Sequence, residues 1–280
     1  MSESNTEKIK ALVKIIRPEI TMLSIFTVYI GALAADSKIF SIPILLVIIA
    51  VFSIAAGSQP FNDYFDYEID KIIHSNRPLP KGILKPKTAL YMGIILFSIG
   101  LFISFFINMI VFLFSIIGIT LIVLYELVSK KTGFLGNFVV AFTSSISFMY
   151  GGAAVGNLLT PAFYAVIAFF IFLGREILLD VRDYEGDKKT RVSLPVRIGR
   201  KKASYLGIIS LFICMFLLLI PGFYIFNSIW YLILVIPLLF TTIYASILPL
   251  FDVENAARTT DILRFSMIQG ILIFVLLLLL

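Results

Sequence analysis

The chain has one cysteine and one histidine in 280 residues, and both scarcities are restrictive. Cys214 has no partner for an internal disulfide and lies in an apolar run, where a thiol behaves as a small hydrophobe. His74 has no second histidine to join it on a metal, so it reads as a loop residue. Charge is scarce as well: Asp, Glu, Lys and Arg together make up 14% of the residues. No long polar stretch remains for a separate soluble domain. The opening MSESNTEKIKALVKIIRPEI is charged and lacks the apolar core and cleavage site of a signal peptide; it reads as a short amphipathic helix leading into the first apolar segment.

What the chain has in abundance is apolar surface. Hydrophobic residues make up 60% of it, where a soluble domain has about half, and the mean hydropathy is +1.02. Nine apolar segments approach the length of about 20 residues that crosses a bilayer. They fall at about 20–35, 42–61, 88–106, 109–128, 134–155, 160–179, 203–221, 228–250 and 262–280. The expectation is an all-α polytopic membrane protein, one domain over residues 1–280, with nine transmembrane helices.

The connections alternate in character. All of the 23 lysines and arginines except Lys38 lie in, or at the helix ends flanking, one set of connections. The positive-inside rule makes that face cytoplasmic, with the N-terminus inside and the C-terminus outside. The net charge of +6 therefore calls for no nucleic-acid partner.

The second apolar segment runs straight into NDYFDYEID, which carries four carboxylates in eight residues: Asp63, Asp66, Glu68 and Asp70. A carboxylate at the centre of a membrane span costs about 2.5–3.5 kcal/mol on insertion scales. The pattern recurs at the end of the sixth segment: residues 63–70 and 180–187 both read D-x-x-D-Y-E-x-D. Each motif leads into a basic, proline-containing loop. Two such matches four spans apart predict an internal repeat, with two four-helix groups and a ninth helix around a central cavity.

Positions i, i+3 and i+7 of a helix fall within about 60° of one another. Asp63, Asp66 and Asp70 thus share a face, as do Asp180, Asp183 and Asp187, with Asn62 at the margin of its group. Two acidic faces meeting across a bundle offer oxygen donors to a hard divalent cation. Magnesium suits them best if a phosphate completes its shell. The cations nearby favour a metal-bridged diphosphate: Arg77, Lys81, Lys188, Lys189 and Arg191 follow the motifs, and Arg17 sits at the mouth of the first span. A cation transporter is the alternative of another class, since acidic residues on membrane helices often mark ion paths. Against it, transporter sites commonly lie near the midplane between broken helices.

Asn62, Asp63, Asp66 and Asp70 followed by NRPLPKG at 76–82 resemble the first signature of the UbiA-type intramembrane prenyltransferases. Asp183 and Asp187 followed by SLPVRIG at 193–199 are similar to the second, and the likeness covers essentially the whole chain. The resemblance implies transfer of a prenyl chain from an isoprenyl diphosphate to an acceptor, with magnesium, within the lipid bilayer. It implies that Asn62, Asp66, Asp70, Asp183 and Asp187 hold magnesium and the diphosphate, and that Arg77, Lys188 and Lys189 contact phosphate. Tyr125 and Lys130, in YELVSKK at 125–131, stand where the family carries a tyrosine and a lysine. In a regular helix those two point about 140° apart, so only a helix end lets both face one site. Asp66 is a candidate acceptor for the proton of the attacking hydroxyl. Within the family, NDYFDYEIDKI…NRPLPKG is most like the branch that adds a second C20 chain, from geranylgeranyl diphosphate, to a glyceryl-phosphate lipid. Branches acting on aromatic acceptors or haem share the acidic motifs.

Overall fold

The computed structural model describes residues 3–36, 40–128, 132–224 and 229–279, all helices and connections. Helix α1 (Glu3–Ile15) leads into α2 (Pro18–Ala35), and α3 (Ile42–Phe65) continues into the short α4 (Tyr67–Ile73). Helices α5 (Pro86–Ile107) and α6 (Met109–Leu127) complete the first half. The second half opens with α7 (Phe134–Ser145) and α8 (Ser147–Val155), then α9 (Leu159–Arg182) and the short α10 (Tyr184–Thr190). It continues through α11 (Leu194–Ile198), α12 (Arg200–Tyr224) and α13 (Ile229–Phe251), and α14 (Ala256–Leu279) ends the described chain.

Among the described residues nine helical segments are long and apolar enough to cross a membrane, the number expected. Their edges differ in ways that matter. The second and sixth spans run on through Phe65 and Arg182, so Asp63 and Asp180 lie within membrane helices. The ninth begins at Ala256, six residues before its expected start. The fifth bends at Ile146, although its backbone N–H still reaches the Phe142 carbonyl at 2.9 Å. Large apolar side chains such as Phe102, Phe106, Phe216 and Phe240 face outward, as a bilayer-embedded surface requires.

The repeat extends well beyond the acidic motif. Helix α3 packs along α5, and α9 packs along α12. At the first crossing a Cβ on Gly57 or Gly93 would stand 3.0 Å from the other's carbonyl oxygen. At the second, Gly174 and Gly207 meet with corresponding distances of 2.9 and 3.2 Å. Gly57 and Gly174 each precede the first aspartate of their motif by the same six positions. Close backbone approach through small residues is how membrane helices associate without a hydrophobic driving force. Gly151 performs the same service between α8 and α2, and α14 closes the bundle against α13, α9 and α2.

Two predictions about single residues hold. Cys214 is buried in the core of the second half, and His74 is an exposed residue at the C-cap of α4. Helix α1 buries Ala11 and Ile15 against Leu79 and Leu84 of the loop after α4, which anchors that loop beneath the bundle.

Candidate active site

Both acidic motifs cross a helix junction at the same residue. Asp66 joins α3 to α4 at φ −86°, ψ 0°, and Asp183 joins α9 to α10 at φ −89°, ψ 8°. Helical hydrogen bonding persists across each: Asp70 N–H donates to the Asp66 carbonyl at 2.8 Å, and Asp187 N–H to that of Asp183 at 3.0 Å.

The outer aspartates of each motif are the buried ones. Asp63 and Asp70 are each 3% exposed, and Asp180 and Asp187 are 7% and 6%. In both halves the basic loop sends an arginine back between them. Arg77 Nη1 lies 2.5 Å from Asp70 Oδ2 and 3.6 Å from Asp63 Oδ1. Arg191 donates through Nε to Asp187 Oδ1 at 2.8 Å and through Nη2 to Asp180 Oδ1 at 3.0 Å. Burial opposes the Arg191 charge, but the Asp187 hydrogen bond and the two carboxylates outweigh it and raise its pKa. A buried leucine followed by proline, Leu79–Pro80 or Leu194–Pro195, plugs each loop just after its arginine. The repeated geometry thus reaches from helix crossing to loop.

Each pair has one further partner. Arg17 donates through Nη2 to Asp63 and through Nη1 to Gln59 Oε1 at 2.9 Å. Among the described residues it alone, apart from glycines, has positive φ, 46°, a strained turn between α1 and α2 that aims its side chain at the site. In the second half Asn137 of α7 donates through Nδ2 to Asp180 Oδ2 at 2.8 Å.

Asn62 donates to Glu126 Oε1 at 2.6 Å, which ties the first motif to the end of α6. Beside them opens a cavity of about 500 Å³, lined by Arg17, Gln59, Asn62, Tyr125 and Glu126 and, from the second half, Arg175, Glu176 and Arg264. Its deeper wall is apolar, with Leu23, Ile54, Ile122, Phe172 and Ile271. Tyr125 lies close enough to Arg191, Glu176, Glu126 and Asp180 to interact with their charges.

Several expected residues stand outside this constellation. Asp183 is exposed and pairs with Arg182, Oδ1 to Nε at 2.7 Å. Asp66 is half-buried, and Lys81 is exposed. Lys188 lies over the Tyr184 ring at 4.2 Å, as Lys71 lies over Tyr67 at 4.1 Å, so the lysine also belongs to the repeat. Lys130 and the side chain of Lys189 lie outside the described residues. Conversely, Gln59, Glu126, Asn137 and Glu176 are no part of the expected site, and Arg175 and Arg264 are expected only as cations of the basic face. Each is a polar residue inside an apolar span, and that oddity is the signal that marks them.

The donor set suits a hard cation, being composed of carboxylate and amide oxygens. Asp187 Oδ2 is moreover buried with no hydrogen-bond partner. Among the described residues no three Asp, Glu, His or Cys side chains are gathered closely enough to hold a metal, and an arginine contacts both carboxylates of each pair.

The chain belongs to the UbiA prenyltransferase family, whose model matches residues 24–268. It is 38% identical over 200 residues to the digeranylgeranylglyceryl phosphate synthase of Thermococcus kodakarensis, covering 71% of this chain and 72% of that one. A solved structure of a digeranylgeranylglyceryl phosphate synthase superposes with a TM-score of 0.81 at 33% identity, covering 98% of this chain and 99% of the other. A UbiA homologue from Archaeoglobus fulgidus, solved bound to DMAPP and Mg2+, shares the fold at a TM-score of 0.68 and 18% identity, covering 94% and 99%.

Proposed function

We propose that this chain, working as one unit over residues 1–280, transfers a geranylgeranyl group from geranylgeranyl diphosphate to the hydroxyl of geranylgeranylglyceryl phosphate. It thereby acts as a magnesium-dependent digeranylgeranylglyceryl phosphate synthase. The observation that carries this is the duplicated, buried carboxylate pair straddled by an arginine, linked through Arg17 to a cavity with a polar head and apolar walls. The names of relatives matched along most of the chain support the same activity.

In this mechanism Asn62, Asp66, Asp70, Asp183 and Asp187 supply oxygen donors for magnesium, which when bound neutralises the diphosphate leaving group. Arg77 and Arg191 hold the diphosphate oxygens through their guanidinium forks, with Lys81, Lys188 and Lys189 on the rim. Tyr125 faces the reacting carbon and excludes water from it as the allylic C–O bond lengthens. The acceptor hydroxyl attacks that carbon and its proton passes to Asp66, so an ether forms and diphosphate leaves. The apolar wall encloses the prenyl tail. The basic loops lie in the cytoplasm, where the charged head groups enter.

The test is to incubate the purified protein with labelled geranylgeranyl diphosphate, magnesium and a panel of acceptors. Product with geranylgeranylglyceryl phosphate is expected. Product with an aromatic acid alone overturns the assignment, and magnesium flux into vesicles without isoprenyl diphosphate would favour a transporter.

A further inference from the structure

Arg175 and Arg264 are cations that the diphosphate site leaves unused. Both lie within membrane-spanning helices and both line the central cavity. An arginine in a span is costly unless it faces a polar cavity or a partner, and it then marks function by default. Arg175 Nη1 meets Glu176 Oε1 at 3.0 Å, but its Nε is buried with no hydrogen-bond partner. Arg264 has no ion pair or hydrogen bond among the described residues, and the charges of Arg264 and of Asp261, one turn before it, both act on Arg175. Two guanidiniums lining one cavity, only one of them paired with a carboxylate there, have donors to spare for an anionic ligand.

Depth separates this pair from the cations of the acidic motifs. Arg175 precedes Asp180 by five residues, which places it about 7.5 Å further along the span. Arg264 lies more than two turns inside α14. Transfer between two phosphorylated lipids brings two anionic head groups into one cavity, and unless each has its own cations they repel. The fork of an arginine matches phosphate oxygens bidentately, and a dianion matches two such forks.

We propose that Arg175 and Arg264 form a second anion subsite that takes the phosphate monoester of the acceptor lipid and so presents its neighbouring hydroxyl to the prenyl carbon. This rests on the prenyl-transfer reading above. Glu176 acts as a positioning residue, holding the Arg175 guanidinium toward the cavity.

The experiment measures KM for each substrate in the wild type, Arg175→Gln, Arg264→Gln and Arg264→Lys. It includes geranylgeranylglycerol, the same acceptor without its phosphate. A lost charge-assisted hydrogen bond should raise the KM for the phosphorylated acceptor about tenfold or more in both Gln variants, and leave that for geranylgeranyl diphosphate within about twofold. Arg264→Lys should recover part of the loss, and the preference for the phosphorylated acceptor should collapse in both Gln variants. Arg264 is exposed to the cavity and unpartnered, so its variants keep the fold, which a melting curve verifies. An unchanged acceptor KM in both Gln variants overturns the subsite, as does an equal rise for both substrates. A wild type that makes no product from the phosphorylated acceptor instead overturns the activity beneath it.

Discussion

Arg191 donates to one oxygen of Asp187 at 2.8 Å, and the other oxygen of that carboxylate is buried without a hydrogen-bond partner. The first half repeats the contact, with Arg77 2.5 Å from Asp70. Each arginine is the counter-charge of its two carboxylates.

Removing Arg191 leaves Asp187 uncompensated and Asp180 held by Asn137 alone. Arg191→Ala should therefore lose about 1–3 kcal/mol without magnesium, read as a lower melting temperature in detergent. Added magnesium should then raise its melting temperature more than that of the wild type. An equal rise in both proteins would mean that the metal does not reach this pair.

Arg17→Ala strips Asp63 of its nearest cation and leaves Arg77 at 3.6 Å. A loss of about 1–3 kcal/mol is expected. The double variant Arg17→Ala, Asp63→Asn should be more stable than Arg17→Ala alone, because the orphaned charge is gone. Additive losses in that cycle would deny the coupling.

Asp183 is exposed and its pair with Arg182 is worth little to the fold, about 0.2–1 kcal/mol. Asp183→Ala should melt like the wild type yet lose turnover, as should Asp66→Ala. EDTA should abolish the wild-type activity and magnesium restore it. Retained turnover in either variant would remove that carboxylate from the site.

Gly151→Ala places a Cβ 1.9 Å from the Val28 carbonyl oxygen, so α2 and α8 must separate. The expected cost is about 1–3 kcal/mol or more, seen as a lower unfolding temperature, whereas Gly186→Ala meets open space and should change little.

Much of the arrangement was legible in the chain. The D-x-x-D-Y-E-x-D repeat located both acidic helix ends, and the loop cations Arg77 and Arg191 were singled out from their order alone. Which aspartates are buried was not legible. Positions i and i+7 of a helix point within about 20° of each other, whereas i+3 stands about 60° away. The sequence left all three on one broad face. The covering arginine and the junction at Asp66 and Asp183 divide that face, burying Asp63, Asp70, Asp180 and Asp187 and leaving Asp183 exposed. Glu126, Asn137, Arg175 and Arg264 were not legible as site residues because they sit on four separate helices. Nothing local relates them until the helices pack.

Run length, hydropathy and helical phase belong to contiguous residues, so the sequence by itself determined the nine spans, the internal repeat and the two acidic helix ends. The shape of the cavity, the arginine between each carboxylate pair and the deep cations Arg175 and Arg264 were decided only by tertiary structure. The cavity lining runs from Arg17 to Ile271 and Arg175 and Arg264 are 89 positions apart, while each loop arginine must fold back onto the helix it follows. Burial and electrostatic partnership depend on which helix covers a face, and only the packed bundle sets that.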